Sequence, residues 1–113
     1  MPTTYKNSQV QGTAGVTNYV NLCNTQPAST AVISTIAVCN TASTSATYRI
    51  AIVPASASAA APSASNWLVY DSTIIGYDTI SLTLGVTLGQ SQYVRVSSSA
   101  NTVTFSAFIS EIT

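Results

Sequence analysis

The sequence predicts an all-β fold: a single-domain antiparallel β-sandwich or jelly roll of about eight short strands. Apolar and polar residues alternate with period two in several segments, the pattern of a strand with one face in a core. Ser and Thr make up 34 of the 113 residues, and the branched Cβ of Thr suits a pleated surface. No helical pattern of useful length competes, and a chain of this length favours one domain with one modest core.

The clearest strand signal lies between Thr79 and Leu88. Ten residues alternate strictly there, with the apolar set Ile80, Leu82, Leu84, Val86 and Leu88. A glycine inside a strand often marks a bulge or a bend. We therefore expect Gly85 to divide this segment into two strands around a corner.

Shorter segments supply the remaining strands. Alternation recurs from Thr47 to Ile52 and from Thr102 to Ile109. Further candidates are Gln9 to Gly12, Thr17 to Cys23, Ala31 to Cys39, Trp67 to Ser72 and Gln92 to Ser97. Turn-forming residues separate the segments at 24–29, 40–45, 76–78 and 98–101, where small and polar side chains favour turns. The pattern leaves the order of the strands open.

Two segments stand apart from this pattern. The polar stretch 1–13, which contains Tyr5 and Lys6, is predicted to be an N-terminal arm ahead of a sandwich domain over 14–113. Such a stretch is either disordered or lies across a neighbouring subunit, with Tyr5 as its anchor. The stretch from Pro54 to Ser65 contains only Ala, Ser and Pro. We expect an extended loop there, either a flexible surface loop or a contact arm.

Charge is the scarcest property of the chain. Six residues carry a charge at pH 7: Lys6, Arg49, Asp71, Asp78, Arg95 and Glu111. An average domain of this length has roughly 28. A net charge of zero provides no long-range repulsion between copies, which favours association. The lack of histidine and the few carboxylates argue against an enzyme, a metal site or a cofactor, and three basic residues form no stripe for nucleic acid.

Other classes of protein and site are argued against on similar grounds. The N-terminal residues lack the apolar core of a signal peptide, so the ordinary secretory route is not expected. No segment approaches the roughly 18 apolar residues that span a bilayer.

Asp71 and Asp78 have neither the spacing nor the partners of a calcium site or a glycosidase acid/base pair. Cys23 and Cys39 lie near the ends of two successive candidate strands, so they either form a disulfide or remain small buried groups.

Several stretches carry a resemblance to a known family. They are VISTIAVCN at 32–40, YRIA at 48–51, YD at 70–71, DTISLTLGVTL at 78–88, FSAF at 105–108 and EI at 111–112. They are similar to stretches in small all-β virion proteins of tailed phages, particularly cyanophages, which are head decoration (cement) proteins or tail-fibre components. The chain lacks the basic residue and glycine that this family has around Pro54, and its glycine near Ile109.

The resemblance implies a structural role in a virion. The expected partners are the major capsid protein and further copies of the chain, with a homotrimer favoured and a dimer second, by analogy with decoration proteins on three-fold positions. The expected location is the outer head surface, after synthesis in the host cytoplasm. The alternative is a tail-fibre or baseplate component that binds a receptor or carbohydrate, with sugars stacked on Trp67, Tyr70, Tyr77 or Tyr93. No cofactor, nucleic acid or membrane is expected.

The candidate contact residues are mainly aromatic. We predict interface positions at Tyr5, Pro54, Pro62, Trp67, Tyr70 and Tyr77, because interfaces favour Trp and Tyr. Trp67 has a second interpretation, in which it closes one end of the sandwich. Arg49 is predicted to pair with Asp71 or Asp78, either as a solvated pair worth under about 1 kcal/mol or as a pair that fixes the register between subunits.

Overall fold

Nine β-strands make up most of the described part of the protein, and no α-helix occurs in it. This computed structural model describes residues 3–24, 29–54, 66–83, 85–89 and 92–112. The strands are β1 (Thr3–Gln11), β2 (Gly15–Asn24), β3 (Thr30–Asn40), β4 (Ala46–Pro54), β5 (Trp67–Ile74), β6 (Thr79–Leu82), β7 (Val86–Leu88), β8 (Gln92–Ser98) and β9 (Val103–Ile112). The predicted all-β class is confirmed.

The strands form two antiparallel sheets. Sheet A has the order β1-β9-β3-β6, with β7 also paired to β3, and sheet B has the order β2-β8-β4-β5. When β6 and β7 are counted as one interrupted strand, the orders become 1-8-3-6 and 2-7-4-5. This is the strand order of a jelly roll, in which the chain passes repeatedly from one sheet to the other.

The core lies between the two sheets and consists of the alternate side chains that the sequence predicts to be buried. Tyr48 of sheet B and Phe105 of sheet A meet inside it, with ring centroids 6.3 Å apart. The buried residues around them are Leu22, Ala31, Ile33, Ile36, Val38, Ala46, Ile50, Ile74, Val86, Leu88, Val94, Val96, Val103, Ala107 and Ile109. Each large apolar side chain contributes about 1.5–3 kcal/mol by leaving water, so this layer supplies the main stabilisation.

The break between β6 and β7 lies at the predicted glycine. Gly85 has φ +61°, which a side chain disfavours. Both short strands pair with β3, through Ile36 opposite Leu82 and Ile33 opposite Val86. The expected division of the segment is confirmed.

The N-terminal segment differs from the prediction. Residues Thr3–Gln11 form β1, which pairs with β9 along its whole length from Thr3 opposite Ile112 to Gln11 opposite Thr104. The segment is therefore an outer strand of sheet A, and the predicted boundary between an arm at 1–13 and a domain at 14–113 is corrected. Its polar composition suits an edge strand, which covers little of the core.

All four sheet edges carry features that oppose further strand pairing. Lys6 on β1 points inward and binds Glu111 at 2.9 Å, and an inward charge is a common protection of an edge strand. The opposite edge of sheet A is interrupted between β6 and β7. In sheet B, the pairing of both outer strands, β2 and β5, is shifted by bulges or irregularities. Edge-to-edge association of copies is therefore disfavoured.

One buried asparagine joins three loops at one end of the sandwich. Asn40 ends β3 and is 1% exposed. Its Nδ2 donates to the carbonyl oxygens of Thr44 at 2.8 Å, Ile75 at 3.4 Å and Ile74 at 3.5 Å, and its Oδ1 accepts from Ala42 N–H and Thr102 Oγ1 at 3.1 Å each. Gly76 sits beside this network, where a Cβ would collide with the backbone of Ser43.

The two cysteines are free thiols on different sheets. Cys23 on β2 packs against the core, whereas Cys39 is half-buried on the outer side of β3. Burial raises the pKa of the Cys23 thiol to about 11, although nearby Lys6 opposes this effect. Cys23 is therefore an unreactive, structural thiol near neutral pH.

Alkylation of Cys23 tests this environment. The ordinary value for this thiol is 9.0, so at pH 8 the native protein holds roughly 100-fold less thiolate at this position than the unfolded chain. Iodoacetamide is expected to modify Cys23 more slowly in buffer than in urea by a similar factor. Timed mass spectrometry of both samples measures the rates, and equal rates would contradict the buried position.

Candidate functional site

The outer face of sheet A carries no ionised side chain among its described residues. Alternation along the strands places the following residues on this surface, called face A: Thr3, Tyr5, Asn7, Gln9 and Gln11 of β1; Thr104, Ser106, Phe108, Ser110 and Ile112 of β9; Thr30, Val32, Thr35, Ala37 and Cys39 of β3; and Thr79, Ser81 and Thr87 of β6 and β7. Hydroxyls, amides and a few apolar groups cover four adjacent strands.

Face A exposes large apolar groups near its centre and at its rim. Tyr5 is 82% exposed, Phe108 46% and Val32 40%. A shallow hollow of about 300 Å³ lies between Tyr5, Phe108 and Ser34, where Ser34 is the extra residue of a bulge between β3 and β9. Such a surface loses less hydration free energy than a charged one when another protein covers it, because it has no charges to desolvate.

The outer face of sheet B, called face B, has a different character. Arg49 lies on β4 and Asp71 on β5, and Arg95 lies on β8. Arg49 binds Asp71 through two contacts, Nε to Oδ1 at 2.6 Å and Nη2 to Oδ2 at 3.0 Å. Asp71 has φ 51° and lies where the pairing of β4 with β5 shifts register. Three of the six charges of the chain therefore lie on this face.

Aromatic rings surround the Arg49–Asp71 pair. The guanidinium carbon of Arg49 lies 4.2 Å from the Tyr70 ring centroid and 5.5 Å from that of Trp67. Trp67 also meets Tyr70 at 5.1 Å and Tyr19 of β2 at 5.9 Å. We call these five residues the aromatic–arginine cluster. A cation over ring faces is stabilised by the ring quadrupoles, so the rings help to hold Arg49 in place.

The electrostatics of the pair follow from this geometry. Arg49 is 9% exposed, and the hydrogen bonds from its guanidinium hold the pKa of Asp71 below its ordinary value. The same hydrogen bonds raise the pKa of Arg49, against the effect of its own desolvation. Both groups therefore stay ionised across the physiological pH range.

Polar atoms without partners lie beside the cluster. Ser97 faces Arg49 across the β4–β8 pair and is fully buried, yet its Oγ makes no hydrogen bond. Arg95 faces Ala51 in the next outward row, and its Nε is also buried without a partner. Unsatisfied buried polar groups are rare in native proteins and call for an explanation at each site.

The predicted site residues are distributed over both faces. Tyr5 lies on face A, whereas Trp67 and Tyr70 lie together in the aromatic–arginine cluster. Tyr77 is exposed in the turn between β5 and β6, apart from that cluster. Asp78 lies beside the same turn, where its carbonyl oxygen accepts from Asn40 N–H at 2.9 Å. Pro54 ends β4, so the loop predicted from Pro54 to Ser65 does not begin at that residue. Pro62, the side chain of Pro54 and the remainder of the predicted loop, 55–65, lie outside the described residues.

Two members of face B, Tyr19 and Ser97, were not among the predicted site residues. Tyr19 reaches Trp67 although their strands are the opposite edges of sheet B, and Ser97 is brought beside Arg49 by strand pairing. Tyr19 lies where β2 departs from regular pairing with β8, between Gly15 and Val20. Contacts of this kind depend on strand order, which the residue pattern left open.

Comparison with known proteins adds no relative. The chain matches no family model, and no curated protein or solved structure is significantly similar to it. Across the described ranges, no three His, Cys, Asp or Glu residues gather in a group that suits a metal ion. The same ranges contain no helix with the length and apolarity needed to cross a membrane. Function is therefore inferred from the two sheet faces.

Acid titration tests the Arg49–Asp71 pair. Since the folded pKa of Asp71 lies below its unfolded value near 3.9, its contribution to stability is complete above that value. The contribution is lost as the pH falls through the lower, folded pKa. We expect the emission of Trp67 to change only below about pH 3.9, and the Asp71→Asn variant to lack this step. A step at or above that pH in the native protein would contradict the pairing.

Proposed function

We propose that the protein is a phage virion structural protein, a capsid decoration (cement) protein that binds the major capsid protein and its own copies, with a homotrimer favoured. The observation that carries this proposal is face A: four adjacent strands present a broad surface without a charge and with Tyr5, Phe108 and Val32 exposed. The resemblance of the strand sequences to small virion proteins supports the same role.

A cement protein acts through contact area. Stable obligate interfaces bury about 2,000 Å² or more and are richer in apolar groups than ordinary surface. A face of Ser, Thr, Asn and Gln loses less side-chain entropy and less hydration on contact than one of Lys and Glu. The composition that argues against catalysis therefore suits adhesion to a shell.

The two faces suggest an orientation on the shell. Face A carries no charge, so it docks at the lower desolvation cost and is assigned to the capsid contact. Face B carries Arg49, Asp71 and Arg95 and is assigned to the solvent side. Because the sheet edges oppose strand pairing, neighbouring copies meet through side chains and loops instead of continuous sheets.

Electron cryo-microscopy of phage particles assembled with and without the gene for this chain tests the proposal. We expect density for hundreds of copies on the outer head surface, with sheet A toward the shell, and loss of that density when the gene is absent. Heads without the protein are also expected to release DNA at lower temperature. A few copies at the tail tip would overturn the cement role in favour of a tail-fibre or baseplate component, and no copies in the particle would overturn both.

A further inference from the structure

Face B combines a rigid support with an accessible upper surface. In the Arg49–Asp71 pair, Arg49 is almost buried, whereas the side chain of Asp71 is 41% exposed. Tyr70, which packs on the guanidinium, is 57% exposed. The arginine therefore acts as the support, and the carboxylate and one ring reach solvent in fixed positions.

The hydrogen-bonding capacity of the pair is only partly used. Asp71 takes two of the five N–H groups of Arg49, from Nε and Nη2, and Tyr19 takes a further one, so at most two donors remain. Each carboxylate oxygen of Asp71 also keeps a lone pair for a further donor. A fixed donor and a fixed acceptor side by side match two neighbouring hydroxyls, one of which accepts while the other donates.

Aromatic rings beside the charged pair suit the apolar face of a sugar ring. The C–H face of a pyranose ring is apolar and packs on the face of a Tyr or Trp ring, while its hydroxyls point sideways to polar groups. Trp67 and Tyr70 stand at 73° to each other, 5.1 Å apart, and so form two walls around the charged pair. Ligand sites generally combine such apolar walls with a few well-placed polar groups.

Of the three buried polar side-chain atoms without a hydrogen-bond partner in the described residues, two lie on face B, and the third is Glu111 Oε2 on β9 of sheet A. If the cluster only linked β4 to β5, the Arg49–Asp71 contacts and the packed rings would be sufficient. Such a link does not account for the fully buried Ser97 Oγ opposite Arg49, which has no partner, or for the unpaired Nε of Arg95. Each of these polar groups calls for an explanation, and a polar ligand bound beside the charged pair would supply one.

We propose that face B is a saccharide-binding site. A sugar ring packs on Tyr70 and Trp67, and two of its vicinal hydroxyls bind the Asp71 carboxylate and an N–H group of Arg49 that neither Asp71 nor Tyr19 takes. Ser97 Oγ and Arg95 Nε lie buried next to this site. This activity adds to the proposed capsid contact, because it uses the opposite face of the sandwich.

Fluorescence gives a direct test on the purified protein. Trp67 is the one tryptophan of the chain and lies in the proposed site, so its emission reports on the site without background. The probes are defined oligosaccharides of glucose, galactose, mannose and uronic acids, titrated at pH 7. We expect at least one of them to shift or quench the emission in a saturable way and to protect Trp67 from acrylamide.

Matched variants show whether the signal comes from this site. Tyr70→Ala and Asp71→Asn are expected to weaken binding at least tenfold, whereas Tyr77→Ala, at another exposed tyrosine that lies outside the site, is expected to leave it unchanged. Circular dichroism confirms that each variant is folded, and Tyr70→Phe, which keeps the ring, is expected to retain binding if Tyr70→Ala does not fold. No response to any probe would overturn the proposal, as would equal binding by the native protein and folded Asp71→Asn.

The two proposals fail separately. Saccharide titration uses the isolated protein and needs no capsid, so a negative result leaves the role of face A intact. Absence from phage heads in turn leaves the sugar site unaffected.

Discussion

Two negative charges on face A are expected to abolish docking to the capsid. Asn7→Asp combined with Gln9→Glu adds a charge at each of two exposed positions of β1 with almost no change of shape. Each charge would have to leave water on contact without a partner, which costs about 2–5 kcal/mol. Even the lower figure for two charges reduces affinity by more than about 100-fold. Co-sedimentation of the purified variant with undecorated shells measures the loss.

A control with the same net charge separates position from charge. Thr73→Glu with Asn101→Asp also adds two negative charges, but Thr73 lies on the outer side of β5 and Asn101 in the loop before β9, and both are exposed. This variant is expected to bind shells as the native protein does. If it loses binding equally, or if the face A variant binds normally, face A is not the capsid contact.

The isosteric change Asn40→Asp is expected to destabilise the protein by about 3–5 kcal/mol at pH 7. The side-chain nitrogen of Asn40 donates to three carbonyl oxygens, and a carboxylate oxygen in its place would face those oxygens without a proton. A buried charge that meets only acceptors is left uncompensated. For a domain of this size, the loss lowers the melting temperature by roughly 12–20 °C, which differential scanning calorimetry measures.

The pH dependence identifies the cause. Repulsion from the three carbonyl oxygens raises the folded pKa of the introduced carboxyl above its unfolded value near 3.9. The added instability is therefore absent below that value and grows as the pH rises through the folded pKa, so mild acid is expected to restore part of the melting temperature. Asn101→Asp, the same change in an exposed loop, is expected to have little effect. An Asn40→Asp variant as stable as this control would show that the three loops do not depend on the buried amide.

The strands were the most predictable part of the fold. Period-two alternation in Thr79–Leu88 and Thr102–Ile109 follows directly from burial of one sheet face, and Gly85 marked the break correctly because few other residues adopt its backbone conformation. The missed length of β1 has a physical reason as well. An edge strand that covers little core needs no apolar alternation, so its sequence resembles that of a polar tail.

Contacts between residues that are far apart in the chain could not be predicted from the sequence. The pattern suggested Arg49 and an aspartate as partners, but the choice of Asp71 over Asp78 depends on the register of β4 and β5. Tyr19 joins Trp67 only because β2 and β5 belong to one sheet. Asn40 looked like one more turn residue, since its role depends on loops more than 30 residues away.

The interrupted and protected edges of both sheets have a consequence for the proposed packing of many copies on a shell. Closely packed proteins with few surface charges are at risk of forming fibres through edge-to-edge strand pairing. Here Lys6 turned inward, the gap at Gly85 and the irregular pairing of β2 and β5 stop such growth in every direction within the sheets. Many copies can therefore pack at high density without their sheets joining into a continuous one.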